Sequence, residues 1–321
     1  MDIEIVLFFQ QLREACGDTF NKFCILLASI AVDFYMVLPA LMIFWVLNKK
    51  KGTQILASYG TAIFFGAFLK GVFCVYRPWI RDSRVKPLKD VLGNASGYSF
   101  PSGHSTSTSG FYSGLICAYR KYKGLIVFAV IMILVTMVSR VYLGVHTPQD
   151  VLVGGALGVI AALLISYIFS LAEKYKNADI IILIVSAVLV AAVLIYFSLK
   201  SYPVDYVDGK VIVDPKKMMV DGFKDPGVFF GIILGWFIER RFIKFDVSGT
   251  LIQKVLRCVF GALIYIIYEL VIVLPLGAAI NIGVVYFILK MSEPLLFLTV
   301  YPIIFKAIEK RSNKKMETVK A

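Results

Sequence analysis

The sequence predicts an all-α, polytopic transmembrane helix bundle with about nine passes. Of its 321 residues, 59% are hydrophobic and only 17% are charged, whereas about 25% are charged in an average soluble domain. Apolar runs close to or longer than the roughly 20 residues that cross a bilayer recur along the chain. A soluble fold has no use for so many such runs, so we expect an integral membrane protein.

The formal net charge of +13 raises the question of a nucleic-acid partner. Many of the basic residues, however, lie in short linkers between apolar runs: Lys49, Lys50, Lys51, Arg120, Lys121, Lys123, Arg240, Arg241 and Lys244. This pattern is typical of charges that retain loops in the cytoplasm, so we expect a membrane protein with no nucleic-acid partner. The five cysteines are scattered without metal-ligand spacing, which favours small buried hydrophobic residues.

The first half of the chain divides into a surface helix and a group of spans. Residues 2–15 are apolar on one side at helical period but too short to span, which predicts an interfacial helix within residues 1–22. Residues 23–178 follow as the core. It contains five predicted spans and, after the second of them, a long polar loop over residues 77–103; the spans are residues 23–47, 55–76, 102–119, 125–143 and 151–171. For Asp33, inside the first span, a structural contact is favoured over a functional role.

Further apolar helices are predicted over residues 179–311, followed by a basic tail at 312–321. Spans are expected at residues 179–199, 227–238 and 255–274. Residues 276–308 are interrupted by a polar stretch at 290–294, so they form either one pass preceded by a re-entrant segment or two short passes. The loop 200–226 is expected to be solvated, because its aspartates lack the spacing of a calcium loop; they are Asp205, Asp208, Asp214, Asp221 and Asp225.

The lysine-rich tail prefers the cytoplasm, which favours nine passes and sets the orientation of the bundle. This orientation places loops 77–103 and 144–150 together on the non-cytoplasmic side of the cell membrane. Both histidines of the chain, His104 and His146, lie in or beside these loops.

The first of these histidines stands at a predicted helix start. Pro101, Ser102 and Gly103 open the helix, and free backbone N–H groups at a helix start bind anions readily. Gly103 lets an anion approach the backbone closely. The His104 imidazole can then reach a group attached to that anion. A turn without further function is the alternative.

The second histidine precedes another helix start. Thr147 is a candidate N-cap, Pro148 occupies the first helical position, and Asp150 in the first turn can reach back to His146. A carboxylate that holds one ring nitrogen makes the other a better nucleophile or base. Asp150 taken alone is equally consistent with a capping box with Thr147.

Three cations accompany the histidines, since Lys70 and Arg77 lie near the end of the second span and Arg140 near the end of the fourth. Each alone is compatible with a side chain that extends to the membrane surface. Charged groups at a membrane edge are costly to keep without a use, however, and the pass count places all three beside both histidines. The convergence predicts a phosphate site.

These residues resemble the three motifs of the type-2 phosphatidate phosphatase (phosphatidic acid phosphatase) superfamily. The first motif is Lys70, six residues, then Arg77 and Pro78; the second is Pro101-Ser102-Gly103-His104; the third is Ser139-Arg140, five residues, His146, three residues, Asp150. All three are complete and in order. The resemblance covers residues 23–171, and the helices after residue 179 lie outside it.

The resemblance implies roles that agree with the interpretation from the residues. His146 would attack phosphorus to form a phosphohistidine, Asp150 would orient it, and His104 would act as acid and then as base. Phosphate would be held by Lys70, Arg77, Arg140 and the Ser102 and Gly103 amides. We expect neither a metal nor another cofactor.

The function expected is that of a hydrolase, a metal-independent phosphatase of membrane lipid phosphates or prenyl pyrophosphates. Undecaprenyl pyrophosphate, phosphatidate, phosphatidylglycerol phosphate and a sphingoid phosphate all fit as substrates, and the motifs do not choose among them. The alternative is a phospholipid transporter or flippase that binds the headgroup without hydrolysis. The sequence carries no signal for the oligomeric state.

Overall fold

The computed structural model describes residues 2–30, 33–92, 95, 97–207 and 210–320; at residues 27–30, 33–35, 207, 210 and 312–320 it describes the backbone only. The expected all-α fold is confirmed. The first half contains eight helices: α1 (Asp2–Ile30), α2 (Asp33–Met42), α3 (Lys49–Phe73), α4 (Pro78–Arg81), α5 (Lys89–Leu92), α6 (Gly103–Ala118), α7 (Lys123–Tyr142) and α8 (Pro148–Lys174). The α2 helix continues into a π-helical turn, Ile43–Leu47.

The second half is helical as well, apart from one small antiparallel ribbon. Its helices are α9 (Ala178–Leu199), α10 (Pro215–Asp221), α11 (Lys224–Ile238), α12 (Leu251–Tyr268), α13 (Leu274–Ala279), α14 (Gly283–Leu295) and α15 (Tyr301–Lys320). In the ribbon, β1 (Tyr206–Val207) pairs with β2 (Lys210–Val211). Three π-helical turns connect or extend the helices: Glu239–Ile243, Glu269–Val273 and Leu296–Val300.

Six helical segments in the described part of the chain are long and apolar enough to cross a membrane: Lys49–Arg81, Lys123–Tyr142, Pro148–Lys174, Ala178–Leu199, Leu251–Ala279 and Gly283–Arg311. An integral membrane protein is therefore confirmed, whereas nine passes are not, because α6, α11 and the apolar Met36–Leu47 stretch are shorter. Residues 290–294 lie inside one continuous segment, so they do not divide it into two passes.

Small residues let the helices that carry the predicted motifs pack very closely. A Cβ atom at Gly158 of α8 would lie 2.4 Å from Gly110 N on α6, and one at Gly154 would lie 2.7 Å from Ser102 O. Only glycine therefore permits the observed approach. The result is that the start of α6 is pressed against the first turns of α8.

The α1 helix changes direction at Gly17, where φ is 76° and ψ is 173°. Its first part lies against the loop after α4 and the end of α7: Val6 packs with Val85 and Val141, and Arg13 donates to Tyr142 O at 3.0 Å. The helix thus lies beside the region of the predicted site, and its place at the membrane surface stays a prediction. Residues 31 and 32, inside the first predicted span, and the side chain of Asp33 lie outside the described part.

The basic linkers gather at the opposite end of the bundle from Lys70. Lys49 pairs with Glu239 at 2.8 Å, Lys50 with Glu173 at 2.8 Å, and Arg241 with Asp179 at 2.5 Å. Lys49 begins α3 whereas Lys70 lies in its last turn, and 21 residues of α-helix rise about 30 Å. The two ends are thus about one bilayer core apart.

Candidate active site

At the start of α8, Asp150 makes both of the contacts considered for it from the sequence, the capping box with Thr147 and the contact with His146. Thr147 caps the helix, and Asp150 Oδ2 accepts a 2.8 Å hydrogen bond from Thr147 N, which completes a capping box. The same Oδ2 lies 3.3 Å from His146 Nδ1. Both side chains are almost fully buried, at 3% exposure for His146 and 2% for Asp150. One carboxylate therefore caps the helix and orients the imidazole.

Ser99 is a member of this group that the sequence analysis missed. Its Oγ donates a 2.5 Å hydrogen bond to Asp150 Oδ2 and lies 3.3 Å from His146 Nδ1. Its backbone is held by a 2.7 Å hydrogen bond from Ser99 N to Val75 O. Nothing in the local pattern of a polar loop distinguishes such a serine from a solvated one.

The other ring nitrogen of His146 faces the cations. Nε2 lies 2.9 Å from Arg77 Nη1, which also donates to Val145 O at 2.9 Å. We assign the proton to Nδ1, because Asp150 can only accept there, and Nε2 then carries the lone pair. Burial, and next the charge of Arg77, hold the pKa of His146 well below its ordinary value.

Lys70 lies in the last turn of α3 and ties that turn to the loop before α6. Its Nζ donates to Tyr98 O at 2.9 Å and to Pro101 O at 3.0 Å. An ammonium group has three N–H donors, so a further donor remains for a ligand.

At the start of α6, the two amides predicted to bind phosphate, those of Ser102 and Gly103, differ in whether the protein already uses their N–H groups. Ser102 N donates to Asp150 O at 2.9 Å, and Ser102 Oγ accepts from Ser105 N at the helix N-terminus. The Ser102 amide is thus already bonded within the protein, and its expected role in holding phosphate stays a prediction. Gly103 N, at the first helical position, has no intrahelical acceptor, and a Cβ placed at Gly103 would meet nothing within 4 Å.

Arg140 is buried at the end of α7, with 6% exposure. Its Nε has no hydrogen-bond partner among the described residues. It is close enough to Arg77 for the two charges to repel each other. A buried, incompletely bonded guanidinium is costly unless an anion offsets it.

A cavity of about 460 Å³ brings most of these groups together. Five of the eight predicted site residues line it: Lys70, Arg77, Gly103, His104 and His146. Ser102, Arg140 and Asp150 do not. They stand behind this wall: Ser102 caps α6, Asp150 bonds to His146, and Arg140 lies beside Arg77.

Another part of the cavity lining comes from the second half of the chain, which the sequence analysis did not connect to the site. It includes Tyr202, Asp221, Lys224, Asp225 and Tyr286. The expectation of a wholly solvated loop 200–226 is thus wrong for Asp221 and Asp225. It is right for the exposed Asp205 and Asp214, while Asp208 lies outside the described residues.

In the described part of the chain, no group of three or more His, Cys, Asp or Glu side chains is placed to hold a metal ion. The site is instead dominated by two imidazoles and several cations around one cavity. Such an arrangement can bind a phosphoryl group, attack it through Nε2 of His146 and exchange protons through His104.

Two family models match the chain. The PAP2 superfamily matches residues 51–174, and a model described as PAP2 superfamily phosphatase, transmembrane extension, matches residues 223–313. The first covers α3 to α8, which carry the three motifs. The second covers the additional helices that supply Lys224, Asp225 and Tyr286 to the cavity.

Curated relatives agree with this assignment. The chain is 30% identical over 141 residues to putative undecaprenyl-diphosphatase YbjG of Escherichia coli, covering 42% of this chain and 67% of the relative. It is 28% identical over 141 residues to an undecaprenyl-diphosphatase of Sulfolobus acidocaldarius, covering 44% and 66%. It is 27% identical over 168 residues to lipid phosphate phosphatase delta of Arabidopsis thaliana, covering 49% and 40%.

The matches thus span between 40% and 67% of the length of these relatives. No solved structure is significantly similar to the chain. The two family models, the E. coli relative and the three complete motifs lead to one assignment: the chain belongs to the PAP2 superfamily.

Proposed function

We propose that this protein is a membrane-embedded, metal-independent lipid phosphate or prenyl pyrophosphate phosphatase that works through a phosphohistidine. The observation that carries the proposal is the pairing of His146 Nδ1 with Asp150 Oδ2, which leaves Nε2 among the cations of a cavity that His104 also lines. Relatives named as undecaprenyl-diphosphatase, lipid phosphate phosphatase and phosphatidylglycerophosphatase support this class of reaction.

In the first step, His146 Nε2 attacks phosphorus in line with the leaving oxygen. The N–P bond forms as the P–O bond breaks, and His104 gives its proton to the leaving alcohol or phosphate. The Nε2 lone pair faces Arg77 Nη1 at 2.9 Å, so Arg77 must turn its donor to the phosphoryl oxygens as substrate binds. Asp150 stabilises the positive charge that develops on the imidazole.

In the second step, water attacks the phosphohistidine. His104, now neutral, takes a proton from the water as the new O–P bond forms and the N–P bond breaks. The products are inorganic phosphate and the original imidazole. His104 thus donates a proton in the first step and takes one from water in the second, so it ends protonated again.

The cations stabilise the charge on the phosphoryl oxygens. Lys70 and Arg77 line the cavity, Gly103 offers an amide at the start of α6, and Arg140 adds positive charge from behind Arg77. Once substrate has bound and Arg77 has turned, these donors are in place before the chemical step and so lower its barrier without further reorganisation. We propose that they take the place that a metal ion has in other phosphatases.

We also propose that the cavity opens on the non-cytoplasmic side. The basic linkers pair at the end of the bundle about 30 Å from Lys70, and basic linkers favour the cytoplasm. Labelling of single cysteines from outside the cell, each introduced after the five native cysteines have been replaced by alanine, tests this orientation. Lys121→Cys in the basic α6–α7 link should be protected, and Ser83→Cys in the loop after α4 should react.

The activity is tested with purified protein in detergent. The expected result is release of inorganic phosphate from phosphatidate or a prenyl diphosphate in the presence of EDTA. His146→Ala should lose it, and Lys121→Ala, at the opposite end, should keep it. Full-rate release by His146→Ala would refute the mechanism, and lipid movement between leaflets with no phosphate release would favour a transporter.

A substrate labelled with ³²P in the transferred phosphoryl group tests the intermediate. We expect acid-labile, base-stable protein-bound label after rapid quenching of the Lys121→Ala control. The label should be absent in His146→Ala. Phosphate release by the control at full rate without trapped label on His146 would show that water attacks the substrate directly.

A further inference from the structure

The lining of the catalytic cavity carries charges of both signs. The cations Lys70 and Arg77 and the two histidines suit a phosphoryl group. The second half of the chain adds two carboxylates, Asp221 and Asp225, and one ammonium, Lys224, and Asp225 is close enough to Lys70 for their charges to attract. A substrate that fills this cavity therefore meets carboxylates as well as the cations that suit its phosphate.

Of the two carboxylates that line the cavity, Asp221 is less engaged by the protein than Asp225, which interacts with other residues. It is half-buried, and no described residue hydrogen-bonds to its side chain or forms an ion pair with it within 4.0 Å. Burial raises its pKa, and the more distant charges of Lys217 and Lys224 offset this effect in part. A partly desolvated acceptor without a direct partner gains from a donor that a ligand supplies.

The position of Asp221 is fixed by its neighbours. It ends α10, whose start is capped by Asp214 through a 2.9 Å hydrogen bond from Lys216 N. The next residue, Gly222, packs so tightly that a Cβ there would lie 2.8 Å from the Phe197 ring. The backbone that carries Asp221 is therefore held in place at the cavity wall, which helps a selective contact.

This part of the wall lies between the two family matches. Residues 175–222 belong to neither matched segment, yet Phe197, Tyr202, Met218 and Asp221 within them line the cavity. The residues proposed to bind and attack the phosphoryl group lie in the first matched segment. The part of the lining to which Asp221 belongs is thus outside both family matches, whereas Lys224, Asp225 and Tyr286 lie in the second matched segment.

We propose that Asp221 is a specificity-determining residue that accepts a hydrogen bond from an ammonium or hydroxyl group next to the phosphate of the substrate. This inference rests on the proposed phosphatase function. It selects lipid phosphomonoesters with a free amino or hydroxyl group near the phosphate. Diphosphates are disfavoured because their second phosphate would face carboxylates, and phosphatidate offers no donor at that place.

The experiment compares three probes in detergent micelles: a sphingoid-base 1-phosphate, phosphatidate and farnesyl diphosphate. For the wild type we expect kcat/KM to be highest for the sphingoid-base phosphate. Asp221→Asn should lower its kcat/KM relative to that for phosphatidate by about 10- to 100-fold, the range of a charged hydrogen bond. Asp221→Asn should also raise the kcat/KM for farnesyl diphosphate relative to that for the sphingoid-base phosphate.

Asp205→Asn is the matched control, because it removes one negative charge from the same loop but does not line the cavity. It should leave the order of substrates unchanged. Asp221→Glu, which keeps the charge, should retain part of the preference. This variant and the wild-type ranking decide the question if Asp221→Asn does not fold.

The outcomes separate the inference from the function on which it rests. Equal kcat/KM for phosphatidate and the sphingoid-base phosphate in the wild type, or an equal loss for all probes in Asp221→Asn, overturns the role of Asp221 alone. Absence of His146-dependent phosphate release from all three probes overturns the phosphatase proposal itself.

Discussion

Ser99 Oγ and Asp150 Oδ2 are joined by a 2.5 Å hydrogen bond that connects the loop before α6 to the first turn of α8. The same oxygen accepts from Thr147 N and lies 3.3 Å from His146 Nδ1. A single carboxylate oxygen of Asp150 thus faces three donors: the Thr147 amide, the Ser99 hydroxyl and Nδ1 of His146. Its orientation is determined by all three, and so is the direction in which Nε2 of His146 points.

The first prediction concerns Ser99 as a positioning residue. Ser99→Ala removes one of the groups that hold the carboxylate, and we expect kcat to fall by about 10- to 100-fold, the effect of one hydrogen bond to a charged group. KM should change little, since Ser99 does not line the cavity. Ser83→Ala, in the exposed turn after α4, is the control. An unchanged kcat in Ser99→Ala would contradict the role.

The second prediction separates activity from stability at Arg140. Its Nε lacks a hydrogen-bond partner among the described residues, so Arg140→Gln removes a buried charge that the fold does not fully compensate. We expect kcat/KM to fall by about 10²- to 10³-fold as one electrostatic donor is lost. The Tm should stay the same or rise. The exposed Arg120→Gln serves as control, and a Tm several degrees lower in Arg140→Gln would indicate a structural role.

The third prediction uses two glycines near the N-termini of helices. A Cβ would meet nothing within 4 Å at Gly103, which lines the cavity, or at Gly124, which does not. Alanine favours helix, so neither Gly103→Ala nor Gly124→Ala should lower the Tm. Only Gly103→Ala should reduce kcat/KM, because its methyl group obstructs close approach of phosphate to the amide. Equal activity of both variants would exclude phosphate binding at Gly103.

The fourth prediction concerns the protonation of His146. Its pKa is lowered by burial and then by Arg77, so the ring should be neutral at pH 7 and remain neutral as the pH falls through about 6.5, the ordinary pKa. Since the chain has two histidines, His104→Gln leaves one imidazole to observe by ¹⁵N NMR. A neutral ring protonated at Nδ1 is expected, and a midpoint at or above 6.5 would contradict the assignment.

The same pKa shift has a consequence for stability. The unfolded chain takes up a proton on His146 near pH 6.5, whereas the folded chain does so only at lower pH. The contribution of His146 to stability is therefore full above the unfolded pKa of about 6.5 and is lost progressively as the pH falls below that value. Unfolding temperatures of His104→Gln at pH 7.5 and 5.5, with and without His146→Gln, measure this contribution.

Local sequence signals predicted the helix starts correctly. Ser102 caps α6, and Thr147 and Asp150 form the capping box of α8, because a cap involves residues within one turn. The same local view could not show that the Ser102 amide is used by Asp150 O, which lies far along the chain. It also could not choose between capping and orientation for Asp150, since one oxygen does both.

The sequence by itself determined the membrane-embedded helical class and the set of imidazoles and cations, because apolar length and motif spacing are properties of the chain alone. Tertiary structure decided which groups meet. Ser99 and Asp150 are 51 residues apart, and Asp221 and Asp225 line the cavity because the end of α10 and the start of α11 pack beside it. Such contacts depend on how helices pack against one another, and no periodicity or local propensity encodes them.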